Sequence, residues 1–301
     1  MVKTSKFKSV IVVVARIVAF LSISCLLYFQ LRNKDISLEQ VTIVHFWPLI
    51  LMILLTPVNW FLEHQKWRVI LSKLGEQNNP NRKTAFYAGM VTGLLTPATA
   101  GNFIGRIYYF DKAKRWKLTI YTVIANFAQF LASFIFGGLA FVFLSYHMVL
   151  KTHTGQFIVV GCLIVFSMLI YLFGEKWLCF IPIRRLKLMA LLLKRGPSRS
   201  MLLTLSFLRY FIFLIQFSLC LYAFSGIFHS DLLAWISLVF IAVTLTPSLF
   251  LGKIVVRESI AIAILSIAGL TALPILLTSL TTWFFNLILP TLWAALKLRT
   301  K

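Results

Sequence analysis

Leu118–Leu144 reads LTIYTVIANFAQFLASFIFGGLAFVFL, a stretch without a charged residue. It exceeds the ~20 residues a helix needs to cross a hydrocarbon core about 30 Å thick. Its apolar residues are continuous rather than alternating, which predicts a membrane helix and not a barrel strand. Met201–Phe224 reads the same way, with Arg209 as its one charge. Further apolar runs occupy Val10–Leu31, Ile43–Leu62, Thr84–Tyr109, Phe157–Phe173, Leu232–Gly252, Ile254–Leu270 and Pro274–Leu296. Charged residues make up 13% of the 301 residues and hydrophobic ones 60%, against roughly 25% charged in a soluble domain. Too few polar residues remain to coat a soluble fold. The expected fold is therefore all-α: one polytopic transmembrane bundle over residues 1–301, with about six to eight spans.

The net charge of +22 does not point to nucleic acid. The Lys and Arg residues lie in short loops between apolar runs, where they orient the chain and attract anionic headgroups. Lys3, Lys6 and Lys8 before Val10–Leu31 imitate a secretion signal. That stretch exceeds the usual ~7–15 residues, Arg16 interrupts it and no A-x-A site follows, so it reads as a retained first helix. Cys25, Cys162, Cys179 and Cys220 have no CxxC spacing, and the five histidines show no metal-ligand spacing. No metal and no cofactor is expected.

Loop charge assigns sides. Glu63–Lys83, Arg106–Lys117 and Gly174–Ser200 are rich in Lys and Arg, whereas Arg32–Thr42, Ser145–Gln156 and Ser225–Asp231 are not. The positive-inside rule places the first set and both termini in the cytoplasm. Thr84–Tyr109 is then flanked by cytoplasmic loops at both ends and cannot be a single crossing. Thr96-Pro97-Ala98-Thr99-Ala100-Gly101 supplies a break, since proline removes a backbone donor and glycine tolerates unusual dihedrals. A re-entrant hairpin follows, its irregular tip buried in protein or facing a wet cavity. Thr246-Pro247, Gly252 and Arg257 repeat the order of Thr96-Pro97, Gly101 and Arg106. Two solutions fit Leu232–Leu270: a second hairpin entered from outside, or two separate crossings. The hairpin is preferred because Arg257 and Glu258 would shorten an already marginal span. Helix, hairpin and helix then occur twice with opposite orientation, in halves 43–144 and 201–296.

Ionisable groups at membrane depth cost roughly 2.5–3.5 kcal/mol each, which directs attention to Glu63, Arg106, Arg257 and Glu258, and secondarily to Arg16 and Arg209. Guanidinium forks match phosphate, and half-helix N-termini add donors. Arg106 and Arg257 are therefore candidates for receiving an anionic lipid headgroup beside the two tips. A broken helix end satisfied by Arg257 and Glu258 is the plainer alternative. Trp60 and Trp67 read as interfacial anchors with Lys66 and Arg68 snorkelling past them. Asn126, Gln129, Gln216 and Asn286 read as interhelical hydrogen-bonding groups. No nucleophile constellation, P-loop or dinucleotide fingerprint is present, so an enzyme is not expected.

The Glu63/Trp67/Arg68 end of the second helix, the Thr96-Pro97, Gly101, Gly105-Arg106 motif and the Pro247, Gly252, Arg257-Glu258 motif resemble the transmembrane domain of lysylphosphatidylglycerol synthases. That domain also occurs alone in flippase-like membrane proteins. The resemblance spans roughly residues 10–296. It implies a multi-pass protein of the bacterial cytoplasmic membrane that moves a lipid or lipid-linked product between leaflets. On that pattern Pro97, Gly101, Gly105 and Arg106 match the first motif and Pro247, Gly252, Arg257 and Glu258 the second; together with the residues read above, the substrate-binding candidates are Glu63, Thr96, Pro97, Gly101, Arg106, Thr246, Pro247, Gly252, Arg257 and Glu258. Asn102 stands where an acidic residue is common in that pattern, and Lys253 adds a cation; both favour an anionic phospholipid. The aminoacyl-transferring domain of the synthases is absent from these residues. The alternative function is a membrane scaffold or partner subunit for an envelope glycosyltransferase or lipid-modifying enzyme.

Overall fold

The computed structural model describes residues 43–96, 101–146, 154–180, 194, 196–246 and 252–299. Val10–Leu31, Pro97 and Pro247 lie outside the described residues, which contain helix and no strand. The helices are α1 (Trp47–Leu74), α2 (Arg82–Leu95), α3 (Gly101–Ile107), α4 (Lys112–Leu144) and α5 (Thr154–Phe180). They continue as α6 (Arg199–Ser225), α7 (Leu232–Leu245), α8 (Gly252–Ile267), α9 (Ala272–Trp283) and α10 (Leu289–Arg299). A π-helical turn, Phe284–Ile288, joins the last two.

Among the described residues, four helical stretches are long and apolar enough to cross a membrane: α4, Phe157–Lys176 within α5, α6, and the continuous Ala272–Arg299. Together they make a helical membrane bundle. α1 has comparable length, 28 residues, but an unusual distribution. Its outward side shows Trp47, Ile50, Leu54 and Phe61 to the surroundings, while Thr56, Asn59 and Lys66 are buried. Apolar residues outside and polar residues inside are what a helix facing lipid and a polar interior requires. α1 also continues past Leu62, the end of its apolar run, because Trp67, Ile70 and Leu71 extend the buried stripe. Gly75, in the left-handed region at φ 70°, then closes it by donating to Leu71 O and Ser72 O.

α2 and α7 are 14 residues each, about 21 Å at 1.5 Å per residue, too short for the hydrocarbon core. Each packs against the helix that follows it, α2 on α3 and α7 on α8. Leu232–Leu270 thus holds two short helices, α7 and α8, packed on each other.

α1 and α6 run antiparallel. Val44 N–H bonds Ala223 O at one end, Gln216 reaches Met52 O and Thr56 Oγ1 in the middle, and Arg209 reaches Asn59 and Glu63 at the other. The remaining contacts exchange in the same sense. α4 packs on α7 as α10 packs on α2, and α3 meets α4 as α8 meets α9. One apolar core lies beneath each hairpin, the first around Trp67, Leu71, Leu118 and Leu131, the second around Leu221, Ile236, Ile262 and Leu265.

Candidate functional site

The chain leaves helical geometry at matching threonines. Thr96 has φ −108° and ψ 151°, and Thr246 has φ −85° and ψ 113°, the extended conformation that a following proline enforces. The Thr96 hydroxyl donates to Thr92 O at 2.9 Å and accepts Gly101 N–H at 2.5 Å, tying the two limbs at the end where the chain passes from one to the other. Thr92 Oγ1 donates across the hairpin to Gly101 O at 2.5 Å. A Cβ at Gly105 would stand 2.6 Å from Ala88 O and closer still to Thr92 Oγ1, so only glycine permits this approach.

That tight seam delivers Arg106 into the bundle. Its guanidinium lies 4.9 Å from the Trp67 ring centroid and 5.4 Å from that of Phe86, and Nη2 donates to Glu63 Oε1 at 3.0 Å. Its side chain is 3% exposed. The other Glu63 oxygen accepts from Arg209 Nη1 at 2.6 Å, while Arg209 Nε donates to Asn59 Oδ1 at 2.8 Å. Asn59 passes the chain to Asn286, on the π-helical turn, at 2.6 Å. Lys66, 3% exposed, points inward to Gln129 Oε1 at 3.4 Å and shares the field of Glu63. Three cations thus converge on one carboxylate.

A cavity of about 310 Å³ opens beside this cluster between α4, α6, α7, α8 and the π-helical turn. Its polar lining is Gln129, Ser133, Arg209, Thr244, Arg257, Thr282 and Asn286; its walls are aromatic and aliphatic, among them Tyr210, Phe213, Phe217, Phe240 and Trp283. Arg257 bonds Glu258 Oε1 at 2.5 Å and Ser279 Oγ at 3.1 Å, and lies 5.4 Å from the Trp283 centroid. The side chains of Arg209 and Arg257 are 21% and 19% exposed, enough to meet a ligand. Two arginines, amides and hydroxyls together with an apolar wall give the cavity an amphipathic lining. A family model for the lysylphosphatidylglycerol synthase transmembrane region matches residues 10–294. The chain belongs to that family. No curated protein and no solved structure gives a significant match.

Of the residues singled out from sequence in this member of the synthase transmembrane family, Glu63, Arg106, Arg257 and Glu258 all enter the buried polar system. Thr96, Gly101, Thr246 and Gly252 mark the helix breaks. Arg106 and Arg257 do not share the cavity: Arg106 is enclosed by Glu63, Trp67 and Phe86, and the cavity's second arginine is Arg209. The signal for Arg209 was its isolation in an otherwise uncharged span. Lys66 and Trp67 also depart from the sequence reading. Trp67, 1% exposed, is no interfacial anchor; its Nε1 donates to Arg82 O at 3.0 Å, and Lys66 does not snorkel outward. Both belong to the interior because α1 continues past the end of its apolar run. Gln129 and Asn286, read only as interhelical donors, line the cavity as well.

Proposed function

We propose that this chain is a flippase-like lipid translocase that carries an anionic phospholipid, or a lipid-linked anionic product, between leaflets of a bacterial cytoplasmic membrane. The observation that carries this reading is the cavity between the halves, which Arg209 and Arg257 both line beside an apolar wall. A phosphodiester monoanion satisfies both guanidinium groups with charge-assisted hydrogen bonds, while the acyl chains follow the aromatic and aliphatic lining toward lipid. Family membership supports a lipid-related role. On this reading α2–α3 re-enters from the cytoplasm and α7–α8 from outside, with both termini inside. Transport without covalent chemistry needs no catalytic group, so the chain is not an enzyme.

The test is reconstitution of the full chain in vesicles carrying headgroup-labelled phosphatidylglycerol, with a membrane-impermeant quencher reporting the outer leaflet. Transfer should require Arg209 and Arg257, and labelled phosphatidylcholine should move more slowly. Equal loss of signal with and without protein would end the translocase reading. Stable capture of an envelope glycosyltransferase, with wild-type behaviour of both arginine variants in cells, would establish the scaffold in its place.

A further inference from the structure

Glu63 is held by two arginines of very different mobility. Oε1 accepts from Arg106, which is 3% exposed and boxed in by Trp67, Phe86 and the backbone near Gly89. Oε2 accepts from Arg209, which is 21% exposed and faces the cavity. The α1 side of Arg209 is therefore occupied by a carboxylate belonging to the protein. We propose that Glu63 is the internal occupant of the anion site, and that an entering phosphodiester replaces Glu63 Oε2 on Arg209. This rests on the reading of the cavity as a site for an anionic headgroup.

The exchange is electrostatically permissible because Glu63 is not abandoned. Arg106 keeps Oε1, and Lys66 stays within its field. Removing every partner of a buried charge is what makes such steps prohibitive. Asn59 likewise loses Arg209 but keeps Asn286. The exchange also carries a mechanical consequence. Further along, the α1–α6 pair is fastened by Gln216 to Met52 and Thr56 in its middle and by Val44 to Ala223 at its other end. Only the Asn59/Glu63/Arg209 end is held by groups a ligand competes for. Headgroup entry therefore releases one end of the antiparallel pair and leaves the other fixed, which makes a lever between the halves. Glu63 further sets a threshold: only anions that outcompete a carboxylate on Arg209 trigger release.

Binding of short-chain phosphatidylglycerol to the purified full chain in detergent tests this by titration calorimetry. Glu63→Gln should bind on the order of tenfold tighter than wild type, since an internal competitor lowers apparent affinity by the fraction of time it occupies the site. Arg209→Gln and Arg257→Gln should bind more weakly, and adding Glu63→Gln to Arg209→Gln should bring no gain. Glu63→Asp keeps the charge beside Arg106 with a shorter reach and should fall between wild type and Glu63→Gln, which covers misfolding of the latter. In the otherwise unchanged protein, spin labels at Arg68 and Thr204, exposed residues beyond the clasp on α1 and α6, should move apart when the lipid is added. If Glu63→Gln or Glu63→Asp binds no tighter while the arginine variants weaken binding, the exchange is wrong and the cavity reading stands. A label distance that the lipid leaves unchanged overturns the lever. If both arginine variants bind like wild type, the cavity reading itself fails. Glycerol phosphate binding as tightly as the lipid would keep the exchange but assign the site to a soluble phosphate ester.

Discussion

The two hairpins, α2–α3 and α7–α8, begin from the same plan and are packed to different ends. Each has Thr-Pro closing its first limb, glycine opening its second, and arginine five residues further on. In the first, Gly89, Gly93, Gly101 and Gly105 all face the opposite limb at close range, and Arg106 is sealed between Glu63 and two rings. In the second, α7 has no glycine, and the residue before the arginine is Val256 instead of Gly105. Its limbs are filled with bulky side chains, and Arg257 remains open to the cavity. The same residue at the same place is thus enclosed in one half and lines a cavity in the other. What decides is the residue packed opposite it.

Removing each arginine is the strongest way to break this comparison. Arg106→Ala deprives buried Glu63 of its enclosed partner and should cost about 3 kcal/mol, near the lower end for a broken buried pair because Arg209 remains. Thermal unfolding in detergent measures it. In the second hairpin, Arg257→Met with Glu258→Met replaces both partners of the pair by apolar side chains of similar length and should leave stability almost unchanged, while lipid transfer is lost. Equal destabilisation by the two variants would erase the distinction between the enclosed and the cavity-lining arginine.

The residue before each arginine gives the next effect. Gly105→Val drives a branched side chain into Thr92 Oγ1 and Ala88 O and should cost about 2–3 kcal/mol through overpacking. At the matching position Val256, 3% exposed, Val256→Ala only removes packing and should cost about 1–2 kcal/mol. Swapping tryptophans sharpens the contrast further. Trp67→Leu should lower the unfolding temperature. Trp283→Leu, which removes the ring beside Arg257, should instead slow lipid transfer about fivefold, the equivalent of a ~1 kcal/mol cation–π contact.

Much of this was legible in the sequence, for identifiable reasons. Uncharged stretches such as Leu118–Leu144 announce membrane helices, and Thr96-Pro97 and Thr246-Pro247 announce the breaks because proline's constraint is local. Arg106, Arg257, Glu63 and Glu258 were conspicuous because charge is costly at membrane depth. What the sequence hides is partnership across distance. Arg209 meets Glu63 over 146 positions of chain, and Asn59 meets Asn286 over 227. No periodicity encodes those pairings. Lys66 and Trp67 were misassigned because basic and aromatic residues just past an apolar run ordinarily mark the interface; here α1 continues and buries them.

The smallest expected effect concerns the turns beside the hairpins, outside the spans. Glu76, after α1, pairs with Lys114 at the start of α4 and accepts from Asn79 Nδ2 at 2.6 Å, tying together the two turns that flank α2–α3. At the turn before α7, by contrast, Asp231 accepts from Ser230 Oγ at a long 3.4 Å. The Lys114 ammonium, then the Asn79 amide, hold the Glu76 carboxyl below its ordinary 4.5; Glu76 in turn raises Lys114 above 10.5. A depressed carboxyl contributes stability that is complete above the unfolded-state value and is lost as pH falls through the folded one. The raised amine contributes stability that is complete below its unfolded-state value and is lost as pH climbs through the folded one. The tie is therefore whole between about pH 4.5 and 10.5 and fails on either side. Glu76→Gln should lower the unfolding temperature slightly at pH 7 and low salt. The gap from wild type should close as the pH drops below about 4.5, and should narrow at neutral pH as added salt screens the exposed pair. A gap that stays the same at every pH and salt concentration would mean that the Glu76–Lys114 tie adds nothing to the turns beside the first hairpin.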